Sequence, residues 1–188
     1  MEAQEIIKQC REGNEPSVYL KHFQYKANGS QDCNLEKRTQ VVESLLNSFT
    51  NKDIELIRLL YLEEINCELA IERHDNLYQI CYYLYSLGNL EDVYKIYSAK
   101  FDSSNFDTAT MLDRGMLYMS HKIEEVMSFV KNQNSQNKEN ILKELQDLKD
   151  QPDYESEQDY QTFINGYFFG HKGPSSLNPS NKWWQFWK

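Results

Sequence analysis

The stretch that decides the fold is Leu77-Tyr78-Gln79-Ile80-Cys81-Tyr82-Tyr83-Leu84-Tyr85-Ser86-Leu87. On an α-helix its apolar and aromatic side chains would cover most of the circumference. A helix that is apolar on most sides is buried on most sides. The spacing therefore predicts a central helix over about residues 75–87. Gly88 and Asn89 follow, and both tolerate the left-handed backbone conformation in which many helices end.

Amphipathic helices are predicted on both sides of this stretch. Apolar positions recur at helical spacing in residues 35–49, and a helix over residues 51–73 follows with Thr50 or Asn51 as its N-cap. The apolar stripe of this second helix consists of Ile54, Ile57, Tyr61, Ile65 and Leu69. Further helices are predicted near residues 2–11, 90–101, 141–148 and 160–168. Because only 7 Gly and 4 Pro occur in 188 residues, we expect an all-α fold.

An internal repeat indicates how these helices are arranged. A shift of 33 residues aligns Leu90-Glu91-Asp92-Val93 with Ile123-Glu124-Glu125-Val126. Each copy is expected to form a helix, a tight turn and a second helix, so that residues 75–101 and 108–131 pack as equivalent hairpins. Residues 87–100 also resemble the middle of a tetratricopeptide repeat, although Val93 stands where that family prefers alanine. The expected architecture is a solenoid-like or tetratricopeptide-like array of stacked antiparallel helical hairpins.

The composition changes after residue 169. Residues 170–182 hold two Gly, two Pro and three Ser, which is typical of an irregular linker. Trp183-Trp184-Gln185-Phe186-Trp187-Lys188 follows. We therefore divide the chain into a single helical domain over residues 1–169 and a C-terminal linker with a Trp-rich tail over residues 170–188. Docking of the tail onto the helical body is preferred to membrane insertion, because one lysine on each side is a weak anchor.

The charge balance favours some partners over others. The chain has 29 acidic and 20 basic side chains, a net charge of −9. Such a field repels nucleic acid and attracts basic partners, although solubility alone also explains it. No apolar run approaches the roughly 20 residues of a spanning helix, and the acidic N-terminus is unlike a signal peptide. We expect a cytoplasmic protein with four reduced cysteines.

The sequence holds little that indicates catalysis. Its four histidines are scattered, and it contains no Gly-rich phosphate loop and no His-rich metal motif. His74-Asp75 is the one doublet typical of helical metal-dependent phosphohydrolases, with His121 and Asp113 as conceivable further ligands. We interpret Asp75 or Asn76 instead as a helix N-cap. No catalytic, cofactor-binding or metal-binding residue is predicted.

A partner-binding surface is predicted near the end of the helix over residues 51–73. Acidic side chains four residues apart share one helix face, as Glu64, Glu68 and Glu72 do here. This face is either shaped for a basic partner or solvated and neutralised in part by Arg58, Arg73 or a neighbouring helix. Three neighbouring tyrosines, at 82, 83 and 85, cannot all face one direction, so at least one is expected at a groove or surface. The predicted partner-binding residues are Glu63, Glu64, Glu68, Glu72, Asp75, Tyr83 and Tyr85.

Residues 77–92, followed by Asn105-Phe106-Asp107-Thr108 and Asp113, resemble a group of bacterial helical proteins. Members of that group act as immunity proteins of polymorphic or contact-delivered toxin systems. The resemblance spans about residues 51–120, and its motifs are structural. It implies a cytoplasmic all-α protein that neutralises a cognate toxin by direct contact. The alternative is a helical-repeat adaptor that holds a peptide or helix of another partner, and a metal-dependent helical hydrolase is the third hypothesis.

Overall fold

The computed structural model describes residues 1–29, 31–70, 75–102, 106–151 and 156–170, apart from the side chains of residues 68–70 and 106–107. The described part is mostly helical, which confirms the all-α prediction. Its α-helices are Ala3–Arg11 (α1), Leu35–Leu45 (α2), Ile54–Ala70 (α3), Asn76–Leu87 (α4), Val93–Tyr97 (α5), Phe106–Met111 (α6), Ile123–Lys131 (α7), Lys138–Lys149 (α8) and Glu157–Phe169 (α9). Short 3-10 helices lie at Pro16–His22, Asn51–Asp53, Leu90–Asp92 and Arg114–Tyr118. Two-residue strands, Ala27–Asn28 (β1) and Gln31–Asp32 (β2), pair antiparallel with Ala27 opposite Asp32.

The centre of the fold is α4, as the sequence predicts. Nine of its 12 residues are buried. It packs against α2, α3, α5 and the 3-10 helix Arg114–Tyr118, so that its aromatic side chains meet neighbours on several sides. The apolar circumference of residues 77–87 therefore corresponds to a helix that is surrounded by other elements.

Two predicted helix ends are confirmed in atomic detail. Thr50 caps the helical segment that leads into α3, and its backbone N–H donates to Oδ2 of Asp53 at 2.8 Å. This reciprocal capping box satisfies backbone donors that have no partner inside the helix. At the end of α4, Gly88 adopts φ 69°, and its N–H contacts the carbonyl groups of Leu84 and Tyr85.

The region after Gly88 departs from the predicted repeat. In place of one helix over residues 90–101, the chain forms a 3-10 turn, then α5, then a π-helical turn at Ser98–Asp102. The second copy differs further, because α6 ends at Met111 and a separate 3-10 helix begins at Arg114. In the alignment with a 33-residue shift, the continuous helix α4 therefore corresponds to a segment that is divided between α6 and the 3-10 helix Arg114–Tyr118. The array of equivalent hairpins is not confirmed.

A close contact between Gly115 and Tyr160 lies just after this interruption. Asp113 starts the 3-10 helix by accepting a hydrogen bond from the N–H of Gly115 at 2.9 Å. A Cβ atom on Gly115 would lie 2.3 Å from Cε2 of Tyr160, which is buried on α9. The ring of Tyr160 also packs edge-on against Tyr85 and Tyr118. The second copy thus packs tightly against α9 at a point that the repeat pattern does not include.

We expect Gly115→Ala to destabilise the fold by about 1–3 kcal/mol, because the added methyl group overlaps the Tyr160 ring in a packed core. The measurement is the free energy of unfolding from urea titrations followed by circular dichroism. Gly166→Ala is the matched control, since a Cβ atom on Gly166 of α9 would have no neighbouring atom within 4 Å. There alanine should stabilise the helix by up to about 1 kcal/mol. Equal effects at the two positions would contradict the proposed packing constraint.

Candidate interaction surface

Glu64 lies on α3 with no exposed surface. Its Oε1 accepts a hydrogen bond from Nε of Arg38 at 2.6 Å and another from Nδ2 of Asn76 at 2.8 Å. The prediction that Glu64 faces solvent is therefore wrong. A side chain that is fully enclosed by its own protein cannot contact a partner in this conformation.

Arg38 is fully buried as well, so its charge is compensated inside the protein. Its Nη1 lies 2.6 Å from Oδ2 of Asp32 and donates to the carbonyl oxygen of Phe23 at 3.1 Å. Burial by itself raises the pKa of Asp32, but hydrogen bonds from the backbone N–H groups of Asn34 and Lys26, together with the guanidinium, hold it below its usual value. This cluster joins the β-hairpin, α2, α3 and the start of α4. The role of this cluster is therefore to hold these elements together.

The sequence does contain a signal for this buried pair. Arg38 precedes Val41, Val42 and Leu45 by three, four and seven residues, which places it on the apolar stripe of α2. Among the described side chains of α3, the buried positions are Leu56, Ile57, Leu60, Tyr61, Glu64 and Cys67. The predicted stripe shares Ile57 and Tyr61 with these positions, but it also includes Ile54 and Ile65, which are only half-buried, and it leaves out Glu64. An arginine on one buried stripe and a glutamate on the facing one indicate an internal ion pair.

The predicted partner-binding tyrosines are also internal. The hydroxyl of Tyr83 donates to the carbonyl oxygen of Val42 at 2.7 Å. The same hydroxyl accepts a hydrogen bond from Nε2 of Gln79 at 2.6 Å. Burial raises the pKa of Tyr85 to about 12. Tyr82, Tyr83 and Tyr85 are all buried, so the prediction that at least one reaches the surface is wrong. Helices and turns on several sides of α4 enclose all three side chains.

The remaining predicted acidic residues do not form one described surface. Glu63 is half-buried, and its Oε2 accepts a hydrogen bond from the backbone N–H of Tyr25 at 2.6 Å. Asp75 is exposed and occupies the N-cap position of α4. The side chain of Glu68 and the whole of Glu72 lie outside the described residues.

Arg58, expected beside the acidic face, instead joins α3 to the start of α5. Its guanidinium holds the fully buried Asp92 through Nε and Nη2, at 3.1 and 2.9 Å, and it also contacts Glu55 and Glu91. Nζ of Lys95 adds a second cation, 2.8 Å from Oδ1 of Asp92. Arg58 is therefore part of the packing between helices. The other arginine considered for that role, at position 73, lies outside the described residues.

The residues considered for metal chemistry have other contacts. Nε2 of His121 lies 2.8 Å from the carbonyl oxygen of Gly88, and Nδ1 lies 3.2 Å from Oε2 of Glu125. His74 lies outside the described residues. Within the described ranges, no cluster of three or more His, Cys, Asp or Glu side chains is arranged to hold a metal ion. Cys67 and Cys81 are buried, as predicted.

A group of aromatic rings lies at the end of α9, and we call it the aromatic surface. It consists of Tyr78, Tyr82, Tyr167, Phe168 and Phe169. Tyr167 is 60% exposed and Phe169 is 37% exposed. The ring of Phe168 stacks on Tyr82 with centroids 4.2 Å apart, and Tyr167 packs edge-on against Tyr78 at 5.2 Å. The two exposed rings therefore sit on a base of buried tyrosines.

The sequence pattern places Tyr160, Ile164 and Tyr167 on one helical stripe, and the core covers only part of it. Tyr160 and Ile164 are buried, whereas Tyr167 projects beyond the core. A hydrogen bond at 2.9 Å from the hydroxyl of Tyr82 to Oδ1 of Asn165 fixes this end of α9 against α4. Periodicity alone identifies the stripe but not the point at which burial stops, so it does not predict the exposed end.

We expect Glu64→Gln to lower the free energy of unfolding by about 3 kcal/mol, because it removes one charge from a buried pair and leaves Arg38 undercompensated. Urea titrations of purified protein measure the change. Glu43→Gln is the control, since Glu43 is exposed on α2 and should change stability by no more than about 0.5 kcal/mol. A Glu64→Gln protein as stable as the control would show that the pair does not hold the helices together.

The helices of the described residues are short or polar by the standard of a membrane span. None of them is both long and apolar enough to cross a membrane. Comparison of the chain with protein-family models, with curated proteins and with solved structures gives no match.

Proposed function

We propose that this chain is a protein-binding module that neutralises a cognate toxin by direct contact in the cytoplasm. The observation that carries the proposal is the aromatic surface. Tyrosine and phenylalanine are enriched at protein interfaces, because they bury a large area at a small cost in side-chain entropy. Two exposed rings at one helix end, each packed against a buried tyrosine of α4, are a suitable centre for such a contact.

The support beneath the exposed rings strengthens this proposal. Tyr78 and Tyr82 are buried on α4, and their contacts hold Phe168 and Tyr167 in place. A surface that is already ordered loses little conformational entropy when a partner binds, so more of its contact energy appears as affinity. The stretch that resembles the immunity proteins includes α4 and so supplies this base.

The charge of the chain indicates the kind of partner. A net charge of −9 produces a field that accelerates encounters with a basic protein and repels nucleic acid. Burial of Glu64 removes one carboxylate from the predicted acidic face, but the overall field does not depend on that residue alone. We therefore propose a toxin with a basic surface as the partner, bound without any catalytic step.

The test begins with the gene beside this one. If it encodes a secreted toxin, co-expression with the present chain should restore growth of cells that produce the toxin domain. Tyr167→Ser combined with Phe169→Ser should weaken binding of the purified toxin domain at least about tenfold, as expected when central aromatic side chains are removed. Calorimetry or surface plasmon resonance measures the dissociation constant.

Phe101→Ser is the matched control for that variant. Phe101 is 36% exposed, almost the same fraction as Phe169, but it packs on Tyr97, away from the aromatic surface. Binding by the control should be unchanged. Toxin binding that survives the double substitution would remove the aromatic surface from the interface. A non-toxin partner that docks a helix or peptide on these rings would favour the adaptor hypothesis.

A further inference from the structure

We propose that the Trp-rich segment, residues 183–187, docks on the aromatic surface of its own chain. Four of its five residues are aromatic, and the only other residue is Gln185. Two rings of the aromatic surface, Tyr167 and Phe169, are exposed, and burying them against other aromatic side chains is favourable. The chain thus carries two aromatic groups, one at the end of α9 and one shortly after it.

The reach of the intervening chain fits this contact. Helix α9 ends at Phe169, and Gly170 follows in the left-handed conformation at φ 62°. Residues 171–182 separate this point from Trp183. A random coil of this length would have an end-to-end distance of about 20 Å, whereas the exposed rings lie within one helical turn, about 5 Å, of the exit point. Tethering at that range gives an effective concentration in the millimolar range, so even a weak contact is populated.

Charge favours the same occupant. Residues 171–188 contain three lysines and neither Asp nor Glu. Of the chain's 29 acidic and 20 basic side chains, residues 1–170 therefore hold 29 and 17, a net charge of −12. The basic segment is attracted to this body, whereas an anionic lipid surface repels the body. Intramolecular docking is thus favoured over insertion of the tryptophans into a membrane.

The docked segment would cover the rings to which we assign partner binding. This consequence rests on the proposed function. The docking itself does not, because it needs no other molecule.

Tryptophan fluorescence of the full chain tests the docking directly. The three tryptophans are Trp183, Trp184 and Trp187, so the signal comes from the Trp-rich segment alone. We expect the tryptophans of the folded wild type to be shielded from acrylamide and their emission to be blue-shifted relative to protein in urea. Tyr167→Ser combined with Phe169→Ser should lower the docking equilibrium constant by up to about tenfold for each ring and restore quenching.

The matched control is again Phe101→Ser, which should leave the tryptophans shielded. Circular dichroism of each variant checks that the helices are intact. Wild-type quenching equal to that in urea, or full shielding in the double variant, would overturn the proposal. Shielding that grows with protein concentration would assign the contact to a second copy. Shielding that requires vesicles of phosphatidylcholine and phosphatidylglycerol would assign it to a membrane, and either result would also overturn it. Because no toxin is present, these outcomes are independent of the proposed function.

Discussion

The buried guanidinium of Arg38 is the constraint on which the arrangement of the helices depends. It has no exposed surface and is held between Glu64 and Asp32. Transferring a charge from water into a protein interior is costly unless an opposite charge and hydrogen bonds compensate it. Any packing of α2 against α3 that separates these groups would leave a buried charge without compensation. The pair therefore selects one register of the two helices, whatever its net contribution to stability.

Two further arginine–carboxylate pairs fix other points along α3. Arg11 of α1 holds the buried Asp53 with Nε and Nη2, at 2.7 and 2.9 Å, just before α3 begins. Arg58 on α3 itself holds the buried Asp92, which starts α5. The planar guanidinium suits this two-point contact with a carboxylate. Since α4 packs directly against α3, these pairs also determine where the aromatic side chains of α4 lie.

The sequence allows prediction of those features that depend on a single element. The central position of α4 follows from its apolar circumference, and the capping at Thr50 and the end at Gly88 follow from local hydrogen bonding and backbone conformation. The errors concern features that depend on two elements at once. The acidic residues near Glu64 in the sequence suggest that its side chain lies at the surface. That interpretation fails once the buried partner on another helix, Arg38, is considered. The first helix predicted for the second repeat copy is interrupted near a contact between Gly115 and Tyr160, which joins positions 45 residues apart.

The same distinction applies to the candidate site. Helical periodicity correctly places Tyr160, Ile164 and Tyr167 along one face of α9, but the extent of burial depends on how far α4 and its neighbours reach beside it. Because α4 is enclosed, its tyrosines cannot supply the exposed contact that their number suggests. They act instead as the fixed base on which Tyr167 and Phe169 are presented. The buried charges of α3 thus contribute, through the packing of α4, to the position of the exposed rings that we propose as the partner-binding surface.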